Sequence, residues 1–287
     1  MRRLSAVSLF AVLLVAVPIG AQEVLDTQVF PVVARGAGLA GTMWVTDLVV
    51  TNPMDEPVSI GVGFFPANQN NLFDPTFPNR IELDAGETFI AEDVLHTVFG
   101  YDEDIKGTMV LMVDPNYVQP NPEGAVIGAV TRTYNVGSDL GTYGQTVPSL
   151  VVNANVGWAS SYITGARNDA DFRSNLGIAA TSPIAAVRVH YRIKDHEGTV
   201  LVEGAKNIRI ASMNQWSFQQ LGVGEVDGPL AVELWLDPSS MSEDPCADDF
   251  PSAFLAYVSK VDNGTGDAEF LTAAAMEPYY CGVMPEE

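Results

Sequence analysis

Trp44-Val45-Thr46-Asp47-Leu48 is answered further along the chain by Phe172-Arg173-Ser174-Asn175-Leu176, and the echo continues in the same order beyond each segment. Val58, Ile60, Val62 and Phe64 correspond to Val187, Val189, Tyr191 and Ile193, and Arg80-Ile81-Glu82-Leu83 to Asn207-Ile208-Arg209-Ile210. Val113-Asp114-Pro115 then matches Leu236-Asp237-Pro238. Val130-Thr131-Arg132-Thr133-Tyr134-Asn135 with Asp139 matches Val258-Ser259-Lys260-Val261-Asp262-Asn263 with Asp267. Shared order over such a length marks an internal duplication, from about Val32 to Val147 and again from about Ile163 to Thr272. One unit is written twice.

That unit is built of strands. From Val187 to Lys194 the apolar residues Val187, Val189, Tyr191 and Ile193 alternate with Arg188, His190, Arg192 and Lys194, the pattern of a half-buried strand. Asp195-His196-Glu197-Gly198 turns the chain, and Thr199-Val200-Leu201-Val202 resumes the extended pattern, which predicts a hairpin. Leu230, Val232, Leu234 and Leu236 alternate with Ala231, Glu233 and Trp235. In the first copy Thr46–Thr51, Val58–Phe65, Ile81–Leu83, Thr108–Val113 and Ala125–Tyr134 read as strands by the same test. Short helical turns fit only at Ala91–Val98 and Phe218–Leu221, in equivalent places. Each copy offers strands enough for one immunoglobulin-like sandwich of two antiparallel sheets, a fold of roughly 100 residues. The expected fold class is all-β, two such sandwiches in tandem, spanning residues 22–152 and 153–275 with a C-terminal tail over 276–287. The connection from Leu150 to Trp158 carries Val151, Val152 and Val156, too apolar for a loose tether, so the two units are expected to touch.

At Arg132-Thr133-Tyr134-Asn135, Gly141-Thr142-Tyr143-Gly144-Gln145, Phe172-Arg173-Ser174-Asn175-Leu176-Gly177 and Trp44-Val45-Thr46-Asp47-Leu48 with Asn52-Pro53, the chain resembles uncharacterised secreted bacterial proteins made of tandem immunoglobulin-like domains. The resemblance implies this fold and export. It carries over no catalytic residue.

Export is also readable from the residues. Arg2-Arg3 precede an apolar run from Leu9 to Val17 and then Pro18-Ile19-Gly20-Ala21, so residues 1–21 read as a signal peptide. That run is too short to span a bilayer, and no later stretch reaches the roughly 20 apolar residues a transmembrane helix needs. Losing Arg2 and Arg3 with the signal takes the formal charge from −22 to −24. A chain this acidic has no general surface for a phosphate backbone, which excludes nucleic acid as the expected partner. In an oxidising compartment the only two cysteines, Cys246 and Cys281, are expected to pair.

Chemistry is sparse. No Gly-x-Ser-x-Gly elbow exists, and His96, His190 and His196 lie in a helical turn, on a strand's polar face and in a hairpin turn. The acidic segments Tyr101-Asp102-Glu103-Asp104 and Ser242-Glu243-Asp244-Pro245 with Asp248-Asp249 lack the spacing of a calcium-binding EF-hand loop, and no cofactor or metal is expected. Glu82, Glu87, Glu92 and Asp93 could supply the paired carboxylates of a glycosidase, although solvated surface explains them equally. Contact residues are better candidates. Arg188, His190, Arg192 and Lys194 form a basic stripe that suits an anionic partner, unless acids on neighbouring strands pair with it. Tyr143, between glycines, and Trp235, opposite its leucines, could stack on sugar or pack on adjoining strands. Ser59, Gly61, Gly63 and Phe65 leave a nearly bare face that another surface could approach. The sequence therefore predicts an exported, non-enzymatic binding or structural protein of the cell envelope or extracellular space. Its expected partner is a protein or polysaccharide at the cell surface, or a second copy. A carbohydrate-binding accessory protein and a carboxylate-dependent hydrolase are the alternatives.

Overall fold

The computed structural model describes residues 24–38, 41–71, 77, 79–113, 124–137, 141–150, 160–182, 184–241 and 252–275. The expected signal peptide, the connection after Leu150, Asp114, Pro115, Asp139, the acidic loop after Met241, Cys246, Cys281 and the tail lie outside these residues. The first half contains β1 (Val24–Leu25), β2 (Thr27–Ala37), β3 (Met43–Thr51), β4 (Val58–Pro66), β5 (Asn79–Leu83), β6 (Thr88–Ala91), α1 (Val94–Thr97), β7 (Ile105–Met112), β8 (Ile127–Asn135) and β9 (Gly144–Pro148). The second contains β10 (Ser161–Asn168), β11 (Phe172–Ala180), β12 (Val187–Lys194), β13 (Val200–Ile208), β14 (Met213–Ser217), α2 (Phe218–Leu221), β15 (Val226–Leu236), β16 (Phe254–Asp262), β17 (Ala268–Thr272) and β18 (Ala274–Ala275). The chain is nearly all β, and both short helices fall where the sequence places them.

Pairing is antiparallel and repeats. The first half pairs β5-β4-β7-β2 and β6-β3-β8-β9, two layers joined where β2 meets β3 at Gly36 and Ala37, and the second pairs β13-β12-β15-β10 and β14-β11-β16-β17. Within each half the two sheets face each other across one apolar cluster. Phe30, Leu48, Ile60, Leu111 and Ile127 belong to the first cluster, and Ile163, Leu176, Val189, Leu234 and Phe254 to the second. In the immunoglobulin constant arrangement the first strand lies beside the second and the seventh beside the sixth. Counting β2 as first, it runs along β7, the sixth, and meets β3, the second, only at Gly36 and Ala37, while β8, the seventh, runs along β3. The first and seventh strands thus occupy each other's usual places.

The register corrects two sequence correspondences. Val58 lies opposite Leu83 and Val187 opposite Ile208, so Leu83 corresponds to Ile208 rather than Ile210. Leu48 lies opposite Thr131 and Leu176 opposite Val258, so Thr131 corresponds to Val258 and Val130 to Tyr257. A slip of one residue changes the face of the sheet: Val258 is in the core, whereas Val130 is half-buried on the outside. The turns agree with this register. Asn135 Oδ1 accepts from the Gly137 amide at 2.9 Å, and Asp262 Oδ1 from the Gly264 amide at 2.8 Å, the same side-chain turn two residues on.

The bare face on β4 is covered. Phe77 lies over Gly61 and Gly63, where any side chain would collide with its ring, and packs with Phe65 and Ala211 of the second half. A further cluster joins the halves: Val29, Val32 and Val147 of the first meet Ala179, Met213, Leu255 and Tyr257 of the second. Beside it the Asn68 amide donates to the Met213 carbonyl at 3.1 Å and the Asn71 amide to that of Ile210 at 3.0 Å. The halves touch, as the apolar connection led us to expect.

Candidate functional site

Strand β12 points Val187, Val189, Tyr191 and Ile193 into the core and Arg188, His190, Arg192 and Lys194 outward. On either side β13 and β15 place acids among them. Arg192 Nε lies 2.7 Å from Glu203 and its Nη1 3.2 Å from Glu233, while Lys194 Nζ lies 2.8 Å from Glu233. His190 Nε2 meets Asp237 at 2.7 Å, and Arg188 Nε reaches the same carboxylate at 3.4 Å. The stripe therefore forms cross-strand ion pairs, the second of the two arrangements its sequence allowed. Three carboxylates stand against Arg188, Arg192 and Lys194, so the face has little net charge to offer a polyanion.

The electrostatics follow from these contacts. The hydrogen bond from the Ser239 hydroxyl, then that from His190 and that from the Ser239 amide, hold the Asp237 carboxyl well below the usual carboxylate range. Burial would push the Glu233 carboxyl up, but hydrogen bonds from Lys194 and Tyr162 and the charges of Lys194 and Arg192 outweigh it and leave it lowered. Accepting from Tyr162, Glu233 in turn raises that phenol.

Trp235 stands at the centre. It is opposite His190 in the ladder, and their rings stack with centroids 5.3 Å apart and 9° between planes. The Arg192 guanidinium lies 5.2 Å from the centre of the indole ring. Tyr162, on β10, adds an aromatic edge, with Lys194 Nζ 5.9 Å from its ring centre. Such a surface, rich in Trp, Tyr and Arg held in fixed rotamers by mutual contacts, has the composition of binding hot spots. The sequence pointed to Arg188, His190, Arg192, Lys194 and Trp235, and the structure brings these together. Tyr143 is not among them: it is half-buried at the approach to β9 in the other half. Tyr162, Glu203, Glu233 and Asp237 were missed, because their partnership with β12 depends on strand order rather than on any local motif.

Catalytic geometry is not assembled around the histidines. In a serine triad the imidazole stands between carboxylate and hydroxyl. Here Asp237 stands between His190 and Ser239, whose hydroxyl donates to Asp237 Oδ1 at 2.5 Å. His96 Nδ1 pairs on the surface with Asp102 at 2.9 Å, and His196 lies against Gly228. Of the acids considered for glycoside chemistry, Glu82 accepts from Ser59 Oγ at 2.6 Å, Glu87 from the Asp84 amide at 2.8 Å, and Asp93 pairs with Arg35.

No protein-family model matches the chain, and no curated protein does. Among solved structures, a glycosyl hydrolase family 2 member from Bacteroides cellulosilyticus is similar at 10% identity and a TM-score of 0.16, over 87% of this chain and 28% of that one. Beta-glucuronidase 2 of Bacteroides uniformis is similar at 10% identity and a TM-score of 0.15, over 85% and 26%. The chain spans little more than a quarter of either, and similarity at this level carries no argument about activity.

Proposed function

We propose that the chain is an exported, non-enzymatic binding protein that grips another protein at the cell surface through the outer face of β13-β12-β15-β10. The observation that carries this is Trp235, held by His190 and Arg192 amid ion pairs that are already satisfied. A contact of this kind supplies orientation and area rather than net charge. Paired acids disfavour an acidic polysaccharide, and the ring contacts of Trp235 disfavour sugar stacking.

The test immobilises the protein and its Trp235→Ala variant and exposes both to native envelope fractions, before and after protease treatment and at low and high salt. The expected result is capture that needs Trp235, disappears with protease and changes little with salt. Capture that survives protease treatment would assign a polysaccharide instead. Capture unaffected by Trp235→Ala would remove the face from the function.

A further inference from the structure

A cleft of about 690 Å³ opens where the two halves meet, and none of its lining residues belongs to β12, β13 or β15. Its volume falls within the range of small-molecule sites. Two of its groups lack partners that their environment calls for.

The first is Lys106, on β7, half-buried at the cleft. No carboxylate among the described residues pairs with it. Its ammonium donates across the junction to Gln215 Oε1 at 3.4 Å, a long contact to a neutral group. Burial alone lowers its hold on a proton. The second is Tyr257, on β16, whose side chain is wholly buried and whose hydroxyl has no hydrogen-bond partner among the described residues. Gln215, Gly177 and Tyr257 lie in one cross-strand row over β14, β11 and β16. The missing side chain of Gly177 leaves room for the phenol end of Tyr257 to lie across it, toward Gln215. Leaving such a hydroxyl unpaired costs stability, which a ligand's hydrogen bond would recover.

Two more residues bear on the charge. Arg173 stands on the wall, with Nη1 donating to Asn263 Oδ1 at 2.9 Å. Asp104 is the wall's carboxylate, and it is engaged with the Ala37 amide at 3.1 Å. Trp44 closes one side with an indole. Arg173 feels the charge of Asp262, and Arg35, also on the wall, pairs with Asp93, so Lys106 is the wall's cation without an acid partner among the described residues, and it stands beside amide and phenol groups that match hydroxyls.

We propose that this cleft binds a small polyhydroxylated anion, of the class of acid sugars, with Lys106 holding the anionic group and Tyr257 a hydroxyl. This site is independent of the Trp235 face. Isothermal titration calorimetry of the full chain with glucuronate, glucose 6-phosphate and glucose tests it. At least one of the two anions is expected to bind about tenfold or more tighter than glucose. A preference for glucuronate assigns a carboxylate, and one for glucose 6-phosphate a phosphate. Lys106→Gln should abolish the preference for the anion. Tyr257→Phe should raise the melting temperature of the free protein while weakening the anion, and Trp235→Ala should leave the titration unchanged. Equal binding of glucose, no binding of any of the three, or an affinity indifferent to Lys106→Gln overturns the proposal. Should Lys106→Gln fail to fold, Tyr257→Phe decides, because it removes only an unpaired hydroxyl: an unchanged affinity overturns the proposal.

Discussion

The hydroxyl of Thr46 makes both hydrogen bonds that the backbone of Ala34 can offer, accepting from its amide and donating to its carbonyl, each at 2.9 Å. Strand β2 pairs with β7 on one side and with β3 only at Gly36 and Ala37 on the other, so at Ala34, short of that pairing, the Thr46 side chain of β3 takes up the backbone groups that no strand meets. Ser174 does the same for Arg167 at 3.1 and 2.6 Å. This is a physical reason for the recurrence of a hydroxyl in Trp44-Val45-Thr46-Asp47-Leu48 and Phe172-Arg173-Ser174-Asn175-Leu176. Thr46→Val and Ser174→Ala should each cost about 1–3 kcal/mol, since each strands two backbone groups. Far apart, the two losses should add. Urea unfolding checks this, with Thr51→Ala, at an exposed pair with Thr88, as the control that changes little.

Gly63 and Phe77 form a matched pair. A methyl on Gly63 would enter the Phe77 ring, so Gly63→Ala should destabilise by about 1–3 kcal/mol through overpacking. Adding Phe77→Ala should cost less on the Gly63→Ala background than in the native chain. Additive losses in this double-mutant cycle, read by denaturant midpoints, would show that the ring does not confine the glycine.

The alternation along Val187–Lys194 needs no tertiary information, because a strand with one buried face must repeat every two residues. Sheet pairing is different. Val130 and Val258 share a side-chain type and a place in the repeat, yet face opposite ways, because register is decided by Leu48 and Leu176 on neighbouring strands. The basic stripe was legible for the same reason as its strand. That acids on neighbouring strands could pair with it was one of its two readings, but which acids was not legible, because Glu203 and Glu233 arrive from β13 and β15. The bare glycines of β4 announced a close approach, but nothing local named Phe77 as the group that makes it. Lys106, Gln215 and Tyr257 come together only because two halves dock, and no spacing in the sequence records that.

Acid should loosen the β12 ladder at Asp237. Its carboxyl is depressed below the ordinary value of 3.8, so the folded state favours the ionised form. The sign follows from linkage: its contribution is whole above the ordinary value and is lost as pH falls through the lower folded one. Stability should therefore fall with acid below about pH 4, and Asp237→Asn should flatten that part of the curve. Urea midpoints measured across this window check the slope. An unchanged slope in the variant would mean that Asp237 does not hold His190 and Ser239 as described.

Asn71 gives the junction a polar latch beside its apolar cluster. Its Nδ2 donates to the Pro66 carbonyl at 2.9 Å and to the Ala211 carbonyl of the other half at 2.8 Å, while its amide donates to Ile210. Asn71→Ala takes this donor from the Ala211 carbonyl in a shielded place, while Pro66 keeps the Ser212 hydroxyl at 3.2 Å, at a cost of about 1–3 kcal/mol. The loss should be local, because the two interiors do not share the latch. Amide hydrogen exchange reads this directly: the amides of Asn68 and residue 71, which cross to Met213 and Ile210, should lose protection. Leu111 and Leu234, deep in their separate cores, should keep theirs except for the global decrease. If protection falls by the same factor everywhere, the latch is an ordinary part of one cooperative unit and the junction has no stability of its own.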